Sequence, residues 1–599
     1  MDHVYDPLPT GAFIRLLDIV DLNSTSGQFV CSFRTVQLDG ESVPEYAALS
    51  YTWDHPATRV SSIAVSNSPE SSLPLSQTLH EFFKELKRRR MCSETLWIDA
   101  LCIDQGNTAE RAAQVAIMDR VFSSAQNVIV WLGSSTPESH KAFKFINSKR
   151  HLPWPAGWRD IPDDEAKAGL EGVMSAVLSR PWFRRTWVVQ EATLNHSVEV
   201  ICGRDSTEIG TLQRCVLAAW RFVESWALFN PEPAVLGMWC ATRLFVIRDE
   251  FLQRGSVRFE RLLQHAYCCE CSDKRDAVFA FLGLADKSLS LPAPNYSVPV
   301  GEKPEYDAAV DQVYYDTAVA LLCHGLSLDA LALAGDTLSH RDGVPSWVPD
   351  LRYISFEDPF TTVDRAHWNA GGPMFTKAEL AAPGKLKVRC SIVDTVDTVC
   401  TEFEWDSVAA HQKAMREVLA LASRLLRTPR STSSSSTRIM ASSSKQENED
   451  DDEGSTIWMN RLVSILTYGL GIDGQPIGLE YRAFFNDWLR WLQTNPSDED
   501  YAQIYSNKFY RALNMRLESW RVFSTTRGFF CIGGGETKVG DKVCIVPGCR
   551  FPLLVRLKTE CQGPAVSIDA ILIYWCYVDG LMDGGWLDTN HADVELVLS

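Results

Sequence analysis

Apolar and polar positions change their period several times along the chain, and each change marks a new kind of element. Alternation in Phe13-Ile14-Arg15-Leu16-Leu17 and in Gln28-Phe29-Val30-Cys31 predicts short strands in a β-rich lead-in over residues 1–45. From Tyr46 to about Gly203, short apolar runs alternate with amphipathic helices. Leu96-Trp97-Ile98 is one strand-length run, ending at Asp99; Asn127-Val128-Ile129-Val130-Trp131-Leu132 is another, closed by Gly133. Between them Asn107 can cap a helix, and Glu110, three residues on, is placed to reach back to the cap. Val115, Met118 and Phe122 then recur at helical spacing and predict one inward face on a helix over 108–124. Strand, helix and strand of this length make a βαβ unit, so residues 46–203 are expected to form an α/β domain on a parallel sheet.

Residues 204–427 read as mainly helical, with Thr211 to Ala227 and Asp307 to Cys323 as examples and a Pro-punctuated connector at Gly343 to Trp347. The stretch 428–456 is serine-rich and then acidic from Glu447 to Glu453, too poor in apolar surface to offset its ordering entropy, and is expected to be a disordered linker. A helical segment over 457–520 follows, with Trp458 to Leu470 and Tyr481 to Leu492. Residues 521–599 read as a small β-rich module, a barrel or sandwich. Its strands are Gly528–Ile532, Lys542–Val546, Pro552–Leu557 and Ala570–Tyr577.

Composition narrows the class. A chain of 599 residues exceeds what one core can fill, so several packed units are expected. The net charge of −18 argues against a nucleic-acid partner, which needs a concentrated basic surface. No basic region followed by an apolar one opens the chain, and runs such as Ala570 to Val578 reach about half the ~20 residues of a membrane span. A soluble, cytoplasmic protein is therefore expected. Its 17 cysteines read as reduced core thiols, and the sequon Asn195-His196-Ser197 as an unused acceptor.

Three longer strings carry a resemblance. They are Tyr46-Ala47-Ala48-Leu49-Ser50-Tyr51-Thr52-Trp53, then Leu96 through Gln105 (LWIDALCIDQ), then Arg180 through Glu191 (RPWFRRTWVVQE). In this order and spacing they resemble the hallmark blocks of the heterokaryon-incompatibility (HET) domain of filamentous fungi. The flanks Asp273-Lys274-Arg275-Asp276, Pro345-Ser346-Trp347-Val348-Pro349-Asp350 and Gly540-Asp541-Lys542-Val543-Cys544 are similar to the family's other segments. Asp54 departs from the pattern, standing where many relatives have glycine. The resemblance implies a cytosolic factor of allorecognition and programmed cell death. It further implies possible self-association through the HET domain and an unknown protein partner from an incompatibility system.

In the order of its elements, 46–192 is also similar to a TIR domain, a small flavodoxin-like α/β fold. Ile98-Asp99 falls where TIR domains have a strand-end Asp, and Trp187-x-x-x-Glu191 matches the spacing around their catalytic glutamate. Many TIR domains cleave NAD. That likeness implies a TIR/flavodoxin-like parallel sheet, NAD as a substrate and no cofactor. Glu191 is the candidate catalytic carboxylate, four residues after Trp187 on one helix face. The alternative is a structural ion pair with Arg184 or Arg185. Asp99 and Asp104 stand where ligands bind in open α/β sheets, or else order their own loop. Tyr51 and Trp53 can stack on a planar ring or fill the core, and Arg184 and Arg185 can clamp a pyrophosphate or pair with Asp99 and Glu191. His265-x-x-Cys268-Cys269-x-Cys271 offers soft ligands, but with no second, distant pair evident, no metal is expected.

Limited proteolysis is expected to cut first between about Thr428 and Thr456, where the backbone is unprotected. First cuts elsewhere, with this stretch intact, contradict the linker reading.

Overall fold

The computed structural model describes the chain apart from residues 1–2, 23–28, 41–42, 55–58, 67, 90–94, 154–156, 158–160, 162, 220–231, 299–306, 335–342, 353–366, 374, 404–407, 427–452, 472–474, 495, 498–503, 505–506, 518–519, 559–566 and 588–592. The expected linker thus lies outside the described residues up to 452, and its last residues begin the helix Glu453–Leu466. Two compact units divide the chain, Met1–Val310 and Asp311–Ser599.

The first unit is built on a nine-stranded sheet. Its strands are β1 (Phe13–Leu22), β2 (Phe29–Gln37), β3 (Ala47–Tyr51), β4 (Arg59–Val65), β5 (Ser68–Ser76), β6 (Thr95–Trp97), β7 (Asn127–Trp131), β8 (Val198–Cys202) and β9 (Asp205–Glu208), in the order β5-β4-β2-β1-β6-β3-β7-β8-β9. At its centre β3 pairs in parallel with β6 and β7, and β7 with β8. Taken in chain order these four strands run 2-1-3-4, an arrangement that puts a topological switch point beside the first of them. All five residues of β3 are buried, as in a strand covered on both faces. The sheet is mixed rather than purely parallel: the hairpin β1–β2 is antiparallel and joins through Leu17 opposite Leu96, so the N-terminal strands belong to this same sheet.

Arg15, on β1, fixes that junction. Its guanidinium forms an ion pair with Glu110, the two side chains 4% and 8% exposed, and donates to the carbonyls of Cys102 (3.1 Å) and Asp6 (2.5 Å). Glu110 is therefore turned away from the helix cap. Asn107 does accept from Glu110 N (3.1 Å), but the Glu110 carboxylate takes Arg15 and the Asp104 amide (2.8 Å) instead of closing a capping box. The expected single helix is broken as well, into Thr108–Val115 and Met118–Ser124. Met118 and Phe122 are buried as expected, whereas Val115 is half-buried and Gln114 takes the inward position, donating to Phe13 O (2.8 Å). The break at Ala116–Ile117 turns the face. Asn195, the sequon residue, is 7% exposed and donates to Phe122 O and Ala125 O (3.0 and 2.7 Å), tying this segment down.

The second unit contains a closed β-barrel rather than a small C-terminal module. Its strands β10 (Glu379–Ala382) and β11 (Lys385–Val399) lie well upstream of the expected boundary. They are joined by β12 (Trp520–Thr525), β13 (Phe530–Gly534), β14 (Lys542–Ile545), β15 (Leu553–Leu557), β16 (Ile568–Val578) and β17 (Asp593–Leu598). The ring β11-β12-β13-β16-β15-β14 closes because the long strand β11 pairs with both β12 and β14. Closure of these six strands leaves an interior filled by Val393, Phe523, Ile545, Leu554, Ile573 and Trp586 among others. The buried Asp541 of the Gly540–Cys544 string accepts from Arg556 Nε (2.8 Å) and the Lys538 amide (2.8 Å), holding the turn before β14.

Replacing Arg15 with Met leaves the Glu110 carboxylate buried without its cation. Unfolding is expected to become easier by about 3–5 kcal/mol, read as a lower denaturant midpoint at unchanged slope. A change under about 1 kcal/mol contradicts this account of how β1 is anchored.

Candidate functional site

The three long strings seen in the sequence meet at the carboxyl ends of β3 and β6. Ser50 and Tyr51 end β3, Asp99 follows β6, and Glu191 sits in the helix Val188–Thr193. Trp182 Nε1 donates to Ser50 Oγ (2.8 Å), and Ser50 Oγ in turn donates to Glu191 Oε2. Glu191 is 3% exposed. Burial pushes its carboxyl up to about 7, against the attraction of Arg185 and the Ser50 hydrogen bond; the nearby Asp99 adds a smaller push upward. Asp99 is raised too, by burial, with Arg185 and the hydrogen bonds from Trp53, Ala100 N and Tyr51 opposing. Trp53 Nε1 donates to Asp99 Oδ2 (2.9 Å), and the Arg185 guanidinium donates to Tyr51 O. One cation, two carboxyl groups and two aromatic side chains therefore share this end of the sheet. Trp53, 44% exposed, forms its outer rim.

Neighbouring segments hold these groups in place. Arg180 reaches over β7 to Leu132 O (2.6 Å) and Ser134 O (2.9 Å). Buried Arg248 donates to the carbonyls of Ala192 and Asn195, closing the C-terminal end of the helix that carries Glu191. Asp54, the departure from the family pattern, accepts from Thr78 N (2.6 Å) and Thr78 Oγ1 (2.7 Å). It thereby pins the Trp53 loop to the first turn of the helix Gln77–Arg89.

Other candidates go elsewhere. Arg184 pairs with Glu270 (3.0 Å) and donates to Ser179 O. Trp187 donates from Nε1 to Asp276 Oδ2 (3.1 Å) rather than backing Glu191. Asp276, which also takes the Tyr296 hydroxyl (2.6 Å), is raised by burial to about 6. Asp104 orders its own loop, accepting from Gly106 N (3.1 Å). Tyr51, Trp53, Asp99 and Glu191 are brought together; Asp104, Arg184 and Trp187 are not. Ser50 and Trp182 were missed as candidates. The available signal was a lone hydroxyl within an otherwise apolar buried strand, which must find a partner.

Residues 46–191 match the family model "Heterokaryon incompatibility protein (HET)" and residues 494–597 match "Het-6 beta-barrel domain". It is similar to heterokaryon incompatibility protein 6, OR allele, of Neurospora crassa, at 22% identity over 691 residues covering 97% of this chain and 95% of that one. No solved structure matches it. No helix among the described residues is long and apolar enough to cross a membrane.

A carboxyl raised from its ordinary 4.5 to about 7 binds its proton more tightly in the folded state than in the unfolded one. Its contribution is fully present below about 4.5 and is lost as pH rises towards 7. Glu191→Gln removes this dependence. Between about pH 5 and pH 8 the stability of the variant relative to the parent is expected to climb, by up to about 3 kcal/mol at 1.36 kcal/mol per unit. Parallel pH profiles for the two proteins contradict the assignment.

Proposed function

We propose that this chain acts in fungal self/non-self recognition, and that its HET domain does so in the cytoplasm by cleaving NAD at the bond between nicotinamide and ribose. The similarity to heterokaryon incompatibility protein 6 along nearly the whole chain supports the first part. The 2-1-3-4 order of the parallel strands, shared with flavodoxin-like folds, supports a TIR-like reading of residues 46–191. One observation carries the chemistry: Glu191, at about 7, stands with Arg185 and Asp99 at the carboxyl end of the central strands.

In this reading the carbon–nitrogen bond breaks heterolytically. Its electron pair goes to the pyridinium ring, and neutral nicotinamide leaves. Water then adds to the anomeric carbon and gives up a proton. The ribose passes through an oxocarbenium-like state, which Glu191 stabilises in its ionised form, the form that predominates above about pH 7. A pyridinium leaving group needs no general acid, so a glycosidase-type pair of carboxyl groups is not required. Trp53, exposed at the rim, offers a ring on which nicotinamide or adenine stacks.

The 3% exposure of Glu191 and its bond to Ser50 favour a second reading, in which the carboxyl is structural and the HET domain signals by self-association. Purified protein incubated with NAD separates the two. Nicotinamide release by the parent, reduced about 10²–10³-fold in a folded Glu191→Gln variant, is the expected result. No release by the parent, or equal release by the variant, ends the catalytic reading.

A further inference from the structure

A second cluster of reactive side chains lies in the first unit, apart from Glu191. Cys240 is on the helix Glu232–Arg254; Cys268 and Cys269 follow the helix Phe259–Ala266, which bears His265. All four are buried, with exposures of 0%, 0%, 6% and 1% for Cys240, Cys268, Cys269 and His265. The three sulfur atoms lie within 4.8 Å of one another. His265 Nε2 is 3.2 Å from Cys269 Sγ, and its Nδ1 is 3.8 Å from Cys268 Sγ. The sequence spacing suggested no metal because a second, distant pair of ligands was not evident. The fold brings one distant thiol to the local His265, Cys268 and Cys269: Cys240, 28 residues before Cys268, donates to Cys268 O.

We propose that Cys240, Cys268 and Cys269, as thiolates, and His265 bind one zinc ion. A tetrahedral zinc with bonds of about 2.3 Å sets its sulfurs about 3.8 Å apart, so the thiols need close by no more than about an ångström. Soft sulfur donors with an imidazole select zinc over hard cations. Binding replaces three S–H bonds with three Zn–S bonds and releases three protons to solvent, leaving a complex of net charge −1. Arg243, whose Nη1 is 3.4 Å from Cys268 Sγ, supplies the buried countercharge.

The position gives the ion a structural consequence. It cross-links the helix Glu232–Arg254, whose Arg248 closes the end of the Glu191 helix, to the segment that runs on into Glu270. Glu270 is bonded through its backbone to Arg184 O (2.6 Å) and Thr186 N (3.1 Å), on either side of Arg185. A zinc ion here fixes the segment that delivers Arg185. The inference does not depend on NAD cleavage.

The test uses the full chain, loaded with zinc and then dialysed against a weak chelator. One zinc per chain is expected, released in step with mercurial titration of three thiols. Cobalt substituted for zinc is expected to show thiolate charge-transfer and tetrahedral bands, which read coordination without any mutation. Cys240→Ser is expected to weaken zinc at least about 10²-fold and His265→Ala about 10-fold or more, while Cys271→Ser, outside the cluster, leaves it unchanged. Zinc far below one per chain in the loaded parent overturns the proposal, as does retention in Cys240→Ser or a disulfide among the three cysteines of the fresh protein. Unaltered affinity in His265→Ala removes His265 from the ligand set.

Discussion

Arg185 faces two carboxyl groups that the fold has buried, and the arrangement of the first unit depends on that encounter. Burial disfavours the charged forms of Asp99 and Glu191, and the guanidinium offsets part of the cost. The cation is held from its other side by the Tyr51 carbonyl at the end of β3. Three separated parts of the sequence must therefore arrive together: the strand ending at Tyr51, the turn after β6, and the Arg180–Glu191 string. Each alone would leave a charged or polar group buried without a partner, and the Arg180–Glu191 string, with three arginines and two tryptophans, supplies most of the partners.

The Arg180–Glu191 string reads as a set of tethers. Arg180 holds the loop after β7, Trp182 holds Ser50, Arg184 holds Glu270, Arg185 faces the carboxyl groups, Trp187 holds Asp276, and Glu191 returns to Ser50. Successive side chains point to different neighbours because the segment is a short 3-10 turn, Pro181–Arg184, followed by a six-residue helix. Trp187 and Glu191 are joined by the bond from Glu191 N to Trp187 O (3.2 Å), yet their side chains go to different partners. Trp187 is the residue before the helix and its indole is drawn to buried Asp276, 89 residues away.

Such distant partners mark the boundary of what the sequence discloses. Apolar runs located β6 and β7 to within a residue or two, and the βαβ unit followed from their spacing; β3 lay inside the first of the resemblance strings. Pairings over long separations were invisible. Arg15 to Glu110 recruits the N-terminal hairpin into the main sheet, and β11 to β14 closes the barrel from residues assigned to a helical region. Both depend on partners about a hundred residues apart or more, for which neither periodicity nor propensity carries a signal. Tyr51, Trp53, Asp99 and Glu191 were legible as a group because they end strands or follow a recognisable string. Ser50 and Cys240 were not, since a single serine or cysteine in an apolar run looks like ordinary core until its neighbours are known.

The central claim is that the Glu191 carboxyl, buried beside Arg185, keeps its proton to near neutrality. Infrared difference spectroscopy of the parent against Glu191→Gln isolates the carbonyl stretch of that one protonated carboxyl. Followed against pH, the band is expected to disappear with a midpoint near 7. A midpoint at or below the ordinary 4.5 would contradict the account, leaving Glu191 as an ionised partner of Arg185.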